Sequence, residues 1–165
     1  MATTTHTAVL HSSASDEWGT PQGLFDELDA EHGPCTLDAC ASNGMAKVPN
    51  RYGLDHPDPA RRDALAADWA ADAAGGAVWC NPPYSRDLFP AFLAKAAETA
   101  DAGTRVVLLF PSVKSGTKAF QECIARRVDA GRARVVFRPG RVSFVTPAGK
   151  TGPAPSPSLV VILEP

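Results

Sequence analysis

Residues 77–85 read Ala77-Val78-Trp79-Cys80-Asn81-Pro82-Pro83-Tyr84-Ser85. Four apolar residues suit a buried strand, and the run stops at an asparagine, two prolines and a tyrosine. Proline has no N–H to give to a sheet and fixes its own φ, so pairing ends here and the backbone beyond is rigid. Such a segment is either a plain turn or a shelf that presents one amide and one aromatic ring to a ligand. The elements on either side of it define the fold.

On the downstream side, Ser85 caps a predicted helix whose stripe carries Leu88, Phe89, Phe92, Leu93 and Ala96, with Gly103 as its end. Val106 to Phe110 is an unbroken apolar run, as expected of a strand covered on both faces. Residues 115–130 predict a second helix with Ala119, Phe120, Cys123, Ile124 and Val128 inward, closed by Gly131. Val135 to Phe137, Val142 to Val145 and Leu159 to Leu163 read as strands. The last two flank a Gly/Pro-rich loop, 146–158, and are expected to pair as a long hairpin at one edge. On the upstream side, Thr20-Pro21 signals a helix start, with a hydroxyl cap and proline in the first turn. Leu24, Phe25 and Leu28 continue it, and Gly33-Pro34 stops it. Thr36 to Ala39 is a candidate first strand, residues 43–62 are irregular, and Ala64 to Ala74 is a short helix or a strand edge. Strands alternating with helices give an α/β fold, mostly parallel, with a C-terminal antiparallel hairpin.

The chain has 165 residues, 44% hydrophobic and 21% charged, which fits one globular domain. Residues 1–15 are expected to be a polar, flexible tail and 16–165 the folded domain. No apolar run reaches membrane-span length, and the N-terminus lacks the basic and apolar regions of a signal peptide, so a cytoplasmic protein is expected. The four cysteines, Cys35, Cys40, Cys80 and Cys123, form no CxxC pair, and the histidines form no HExxH or HxxxH group. Reduced thiols packed as small hydrophobes are expected, and no metal.

Charge is split along the chain. Residues 1–104 hold 6 Lys+Arg against 15 Asp+Glu, a balance of −9, and residues 105–165 hold 10 against 3, a balance of +7. The basic set includes Lys114, Lys118, Arg126, Arg127, Arg132, Arg134, Arg138, Arg141 and Lys150. Solvated helix faces would account for such residues, and so would a surface for a polyanion.

In open α/β sheets, ligands bind beyond the carboxyl ends of the strands. Asp38 ends the first strand, Asn81 the second and Pro111 the third. No GxGxxG follows the first strand, which counts against a dehydrogenase, and the absence of a P-loop counts against an NTPase. The shelf suits another chemistry. An exocyclic amine on an aromatic ring is a poor nucleophile because its lone pair is delocalised. The Asn81 side-chain carbonyl and the Pro82 backbone carbonyl would accept its two hydrogens and hold the nitrogen nearer tetrahedral. Pro82 and Pro83 lock that geometry. Tyr84 offers a face for a planar base turned out of a duplex.

With these residues in place, the chain resembles the phage-type (Dam-like) DNA N6-adenine methyltransferase family. The ordered set is Glu17-Trp18-Gly19-Thr20-Pro21, Leu37-Asp38-Ala39-Cys40-Ala41, Asp63-Ala64-Leu65 with Asp68-Trp69, and Trp79 to Ser85. Val107 to Pro111, Gly140 to Phe144 and Pro155-Ser156-Pro157-Ser158 complete it. The resemblance covers roughly residues 16–164. It implies a Rossmann-like methyltransferase sheet, S-adenosylmethionine as cofactor, double-stranded DNA as substrate and transfer to the adenine N6 amine. By the same resemblance, Asn81, Pro82, Pro83 and Tyr84 are the catalytic set, with Asn81 also bordering the cofactor. Trp18, Thr20 and Pro21 would sit near the cofactor, Asp38, Ala39 and Cys40 at its methionine end, and Asp68 with Trp69 near its adenine. DNA would be read by loops 45–62, 112–118 and 146–157 with the basic C-terminal half, leaving room for a protein partner. The same motif fits methylation of cytosine N4, RNA adenine or a protein glutamine, and an inactive DNA-binding relative remains the alternative of a different class.

Overall fold

The computed structural model describes residues 19–41 and 44–165. The expected tail and Trp18 lie outside the described residues. Helix α1 (Gln22–His32) leads into β1 (Cys35–Asp38), and α2 (Trp69–Ala73) into β2 (Ala77–Cys80). Helix α3 (Leu88–Asp101) precedes β3 (Val106–Pro111). A helical run follows, made of α4 (Lys118–Phe120), a π turn (Gln121–Ala125) and α5 (Arg126–Asp129). Strands β4 (Ala133–Phe137), β5 (Ser143–Val145), β6 (Thr151–Pro153) and β7 (Ser158–Leu163) complete the chain.

Five strands form one sheet in the order β1-β2-β3-β7-β4. The β1–β2 and β2–β3 pairings are parallel, and β7 runs antiparallel to both neighbours. The expected pairing of 142–145 with 159–163 is therefore not formed. β5 pairs instead with β6, a strand the sequence reading did not include, in a separate two-stranded sheet. The reason lies in β7. All six of its residues are buried, as are all six of β3, so each needs a neighbour on both sides. The edge goes to β4, where Phe137 is 71% exposed.

Side chains alternate across the sheet. Leu37, Val78, Cys80, Leu108, Phe110, Val161 and Leu163 pack with Trp69, Phe89, Phe92, Leu93, Phe120 and Ile124 on the side of α2, α3 and α4. Trp79, Val107, Leu109, Val160 and Ile162 pack with Phe25 and Leu28 of α1 and with Phe144 and Ala154 of the hairpin region. Trp79 meets Phe25 edge-on, with ring centroids 5.3 Å apart. The α3 stripe is buried as expected. Val128 is not: it is 40% exposed. The π turn at Gln121–Ala125 breaks the helical period before Val128 is reached. Arg127 turns toward α3 instead and donates to the Ala97 carbonyl at 3.0 Å.

Residues 50–52 run beside the outer edge of β1. Asp38 N–H donates to the Asn50 carbonyl and Tyr52 N–H to the Asp38 carbonyl, each at 2.9 Å. A polar cluster pins this loop. Asn50 Nδ2 donates to the Thr36 and Asp72 carbonyls at 3.0 and 2.8 Å, Tyr52 donates to the Asp72 carboxylate, and the Arg61 guanidinium lies 5.2 Å from the Tyr52 ring centroid.

Candidate functional site

Strands β1, β2, β3 and β4 all end at one rim of the sheet, and β7 begins there. The four residues after β2 take no regular structure. Pro82 is buried, while Asn81, Pro83 and Tyr84 are partly exposed. The Tyr84 hydroxyl turns back and donates to Asn81 Oδ1 at 2.6 Å. Asn81 Nδ2 reaches Thr20 Oγ1 at 3.4 Å. Lys114, from the 3-10 turn Ser112–Gly116, donates to the Tyr84 carbonyl at 2.7 Å and lies 5.2 Å from the Phe89 ring centroid. The shelf is thus fixed by its prolines, by a lysine from the neighbouring strand's loop and by its own side chains. Burial holds the Tyr84 phenol well above its ordinary range, so it stays protonated and serves as a donor.

Beyond the shelf, Ser85 Oγ accepts from Leu88 N–H at 3.3 Å and the Ser85 carbonyl accepts from Phe89 N–H at 3.1 Å. The helix start expected from Ser85 is present, with Asp87 as the residue flanking the first helical turn.

Thr20 does not cap α1. Pro21 takes the capping position and no side chain bonds there, so the buried Thr20 hydroxyl faces Asn81. Pro21 serves α1 through its carbonyl, which accepts from Leu24 and Phe25 N–H at 3.1 Å. Gly19 pairs with Val145, which ties the start of the described chain to the β5–β6 hairpin beside the shelf.

Asp38 is almost wholly buried at the end of β1. Its carboxylate accepts from Lys47 N–H at 2.9 Å and from Cys40 N–H at 3.2 Å. Burial pushes the carboxyl up to about 6, against those two bonds, which pull it down. Ala39 is buried and its N–H donates to the Trp79 carbonyl at 2.9 Å. Burial, with Asp38 nearby, pushes the Cys40 thiol up to about 12, so it is not a nucleophile.

Asp68 and Trp69 are drawn into structure. Asp68 Oδ1 accepts from Ala71 N–H at 3.1 Å as the cap of α2. Trp69 is buried, donates from Nε1 to the Ala64 carbonyl at 2.7 Å and packs on Phe92. The Asp68 carboxylate bonds to neither Asp38 nor Asn81. The structure thus joins Thr20, Asn81 and Tyr84 directly and sets Asp38 on the same rim.

The sequence placed Lys114 and residues 50–52 in loops expected to read DNA, but the Lys114 bond to the Tyr84 carbonyl and the Asn50–Tyr52 support of Asp38 were not legible, because each arises from contact between distant segments. The buried hydroxyls of Ser156 and Ser158 have no hydrogen-bond partner among the described residues. Ser158 pairs in the sheet with Pro111 at this rim. Among the described residues, no group of His, Cys, Asp and Glu is arranged to hold a metal ion, and no helix is long and apolar enough to cross a membrane.

A rigid Asn-Pro-Pro-Tyr shelf at the carboxyl end of a central strand, beside a buried carboxylate on the adjacent one, matches the ordered motifs read from the sequence. The family model described as DNA N-6-adenine-methyltransferase (Dam) matches residues 7–165. The chain belongs to this family. The DNA N-6-adenine-methyltransferase of Escherichia phage T1 is 28% identical over 152 residues, which cover 84% of this chain and 57% of the phage protein. The putative methyltransferase YfdM of Escherichia coli (strain K12) is 35% identical over 71 residues, 42% of this chain and 71% of that protein. The match thus spans somewhat over half the length of the phage relative.

Proposed function

We propose that this chain transfers a methyl group from S-adenosylmethionine to the N6 amine of adenine in duplex DNA, and that residues 16–165 form one Rossmann-like catalytic unit. One observation carries the chemistry. Asn81 Oδ1 already accepts a hydrogen bond from a donor on an aromatic ring, the Tyr84 hydroxyl at 2.6 Å, on a proline-locked backbone. An adenine amine is a donor of similar reach. When the base arrives, Tyr84 releases Oδ1 and presents its ring face to the base. The Asn81 and Pro82 carbonyls then take the two amine hydrogens, which frees the nitrogen lone pair for attack. The departing proton leaves to water after transfer, so no side-chain base is required.

Asp38 fits the cofactor by its chemistry. It is a buried carboxylate held, among the described residues, by two backbone N–H groups, beside the small residues Ala39, Cys40 and Ala41. A cationic ligand at this rim would favour its ionised form. The cofactor, when bound, supplies a methyl group activated by a sulfonium. Thr20 holds the Asn81 amide in orientation by its contact with Nδ2. In the test, the protein is given labelled S-adenosylmethionine with duplex DNA, RNA or a protein mixture in separate reactions. Label in duplex DNA alone supports the reading, and label only in RNA or protein refutes it.

A further inference from the structure

The basic half of the chain does not form a uniform surface. At the rim away from the shelf its cations are neutralised. Arg105 and Arg134 pair with Glu164 at 2.8 and 3.8 Å, and Arg127 and Arg132 pair with Asp101 at 2.5 and 2.9 Å. Nearer the shelf rim, Arg138 is held by Glu27 at 2.8 Å, and Lys118 by Glu122 at 3.7 Å. Six of the ten cations in 105–165 are therefore matched by a carboxylate.

Among the described residues, Lys114, Arg126, Arg141 and Lys150 form no such pair, nor do Arg86, Lys47 and Arg62 from the acidic half; Lys47 bonds to the Gln22 side chain and Arg62 to the His56 carbonyl instead. Arg126 lies late on the helical run that leads away from the shelf. Arg86, Lys114, Arg141 and Lys150 lie on segments that meet at the shelf rim. Arg86 is two residues past Tyr84. Lys114 holds the Tyr84 carbonyl. Arg141 lies on the segment between β4 and β5, at the shelf rim. Lys150 closes the hairpin tip, where its carbonyl accepts from Thr146 N–H at 2.9 Å. That hairpin is tied through Val145 to Gly19, next to Thr20, which touches Asn81. Arg86, Arg141 and Lys150 are exposed.

We propose that these four residues are the phosphate contacts of the duplex, which lies across the shelf rim with Arg86 and Lys114 on one side of the extruded base and Arg141 and Lys150 on the other. The proposal rests on duplex DNA being the substrate. Four unpaired cations around one site give a polyanion a positive rim, while at the opposite rim Arg105, Arg127, Arg132 and Arg134 are held in ion pairs. Phosphate contacts fix register and orientation and carry no sequence information, so their removal weakens binding on every duplex alike.

The test measures binding of labelled mixed-sequence duplex between about 50 and 300 mM salt for the full chain, for R141Q/K150Q and for R132Q/R134Q. Circular dichroism melts confirm folding, and R86Q repeats the measurement on the other flank. Each lost phosphate contact lowers the log–log salt slope by about 0.9, so R141Q/K150Q is expected to lower it by about 2 and R86Q by about 1, with R132Q/R134Q native-like. Native-like slopes in R141Q/K150Q and R86Q, or an equal loss in R132Q/R134Q, overturn the proposal while the native protein still methylates duplex. If the native protein neither binds nor methylates duplex DNA, the substrate reading fails, and this proposal with it.

Discussion

Replacing Tyr84 by phenylalanine separates two roles that the native residue combines. The hydroxyl gives Asn81 Oδ1 a bond of 2.6 Å, and the ring is the surface a base would stack on. A neutral hydrogen bond contributes about 0.5–1.5 kcal/mol net. Tyr84→Phe is therefore expected to lower the stability of the free protein by that amount. Because the same bond must break before the amine can use Oδ1, the variant binds an extruded adenine about 2- to 12-fold more tightly. Asn81 is partly exposed, so water satisfies the vacated carbonyl. The assay is steady-state methyl transfer on a duplex whose target adenine lies opposite an abasic site, so that base extrusion costs little. A lower KM with kcat near native is expected, and Tyr84→Ala, which loses the ring, is expected to cost about 1–3 kcal/mol of base stacking. A fall of tenfold or more in kcat for Tyr84→Phe with KM unchanged would show that the hydroxyl acts in the chemistry and would refute this account of the contact.

Three further outcomes are expected. Asp38 titrates near 6 when folded and near 3.8 when unfolded, so between about pH 4 and 6 the native state holds the extra proton and stability falls as pH rises, by about 3 kcal/mol from this group. Urea titrations of the native protein and Asp38→Asn across that window should diverge accordingly, and S-adenosylmethionine affinity should weaken as pH drops below about 6. A Cβ on Gly53 would lie 2.4 Å from the Ala41 carbonyl oxygen, a backbone atom, so Gly53→Ala is expected to destabilise by about 1–3 kcal/mol and to weaken cofactor binding by shifting residues 39–41, read by melting and calorimetry. Ser158→Ala removes a buried hydroxyl with no partner among the described residues, so its melting temperature should equal or exceed the native value.

Local chemistry was legible in the sequence, and contacts between distant segments were not. The Asn-Pro-Pro-Tyr shelf could be read because two prolines after an apolar run leave the backbone few choices. The α3 stripe could be read because its period is regular. β7 was misplaced because an unbroken apolar run says that a strand is interior and not which strands flank it. Val128 was misplaced because the π turn at Gln121–Ala125 leaves no clear mark in the residue pattern. Thr20 looked like a cap by composition, yet its hydroxyl reaches Asn81 across 61 residues. The charge count found the basic half correctly, but only the structure shows which of those cations already face a carboxylate.

In the proposed reaction, Asn81 presents an adenine amine for methylation. The most direct test is incubation of unmethylated duplex DNA with S-adenosylmethionine and either the native protein or Asn81→Ala, followed by digestion to nucleosides and mass spectrometry. N6-methyldeoxyadenosine with the native protein, and none above background with a folded Asn81→Ala, is the predicted result. N4-methyldeoxycytidine as the product, or equal N6-methyldeoxyadenosine from both proteins, would contradict it.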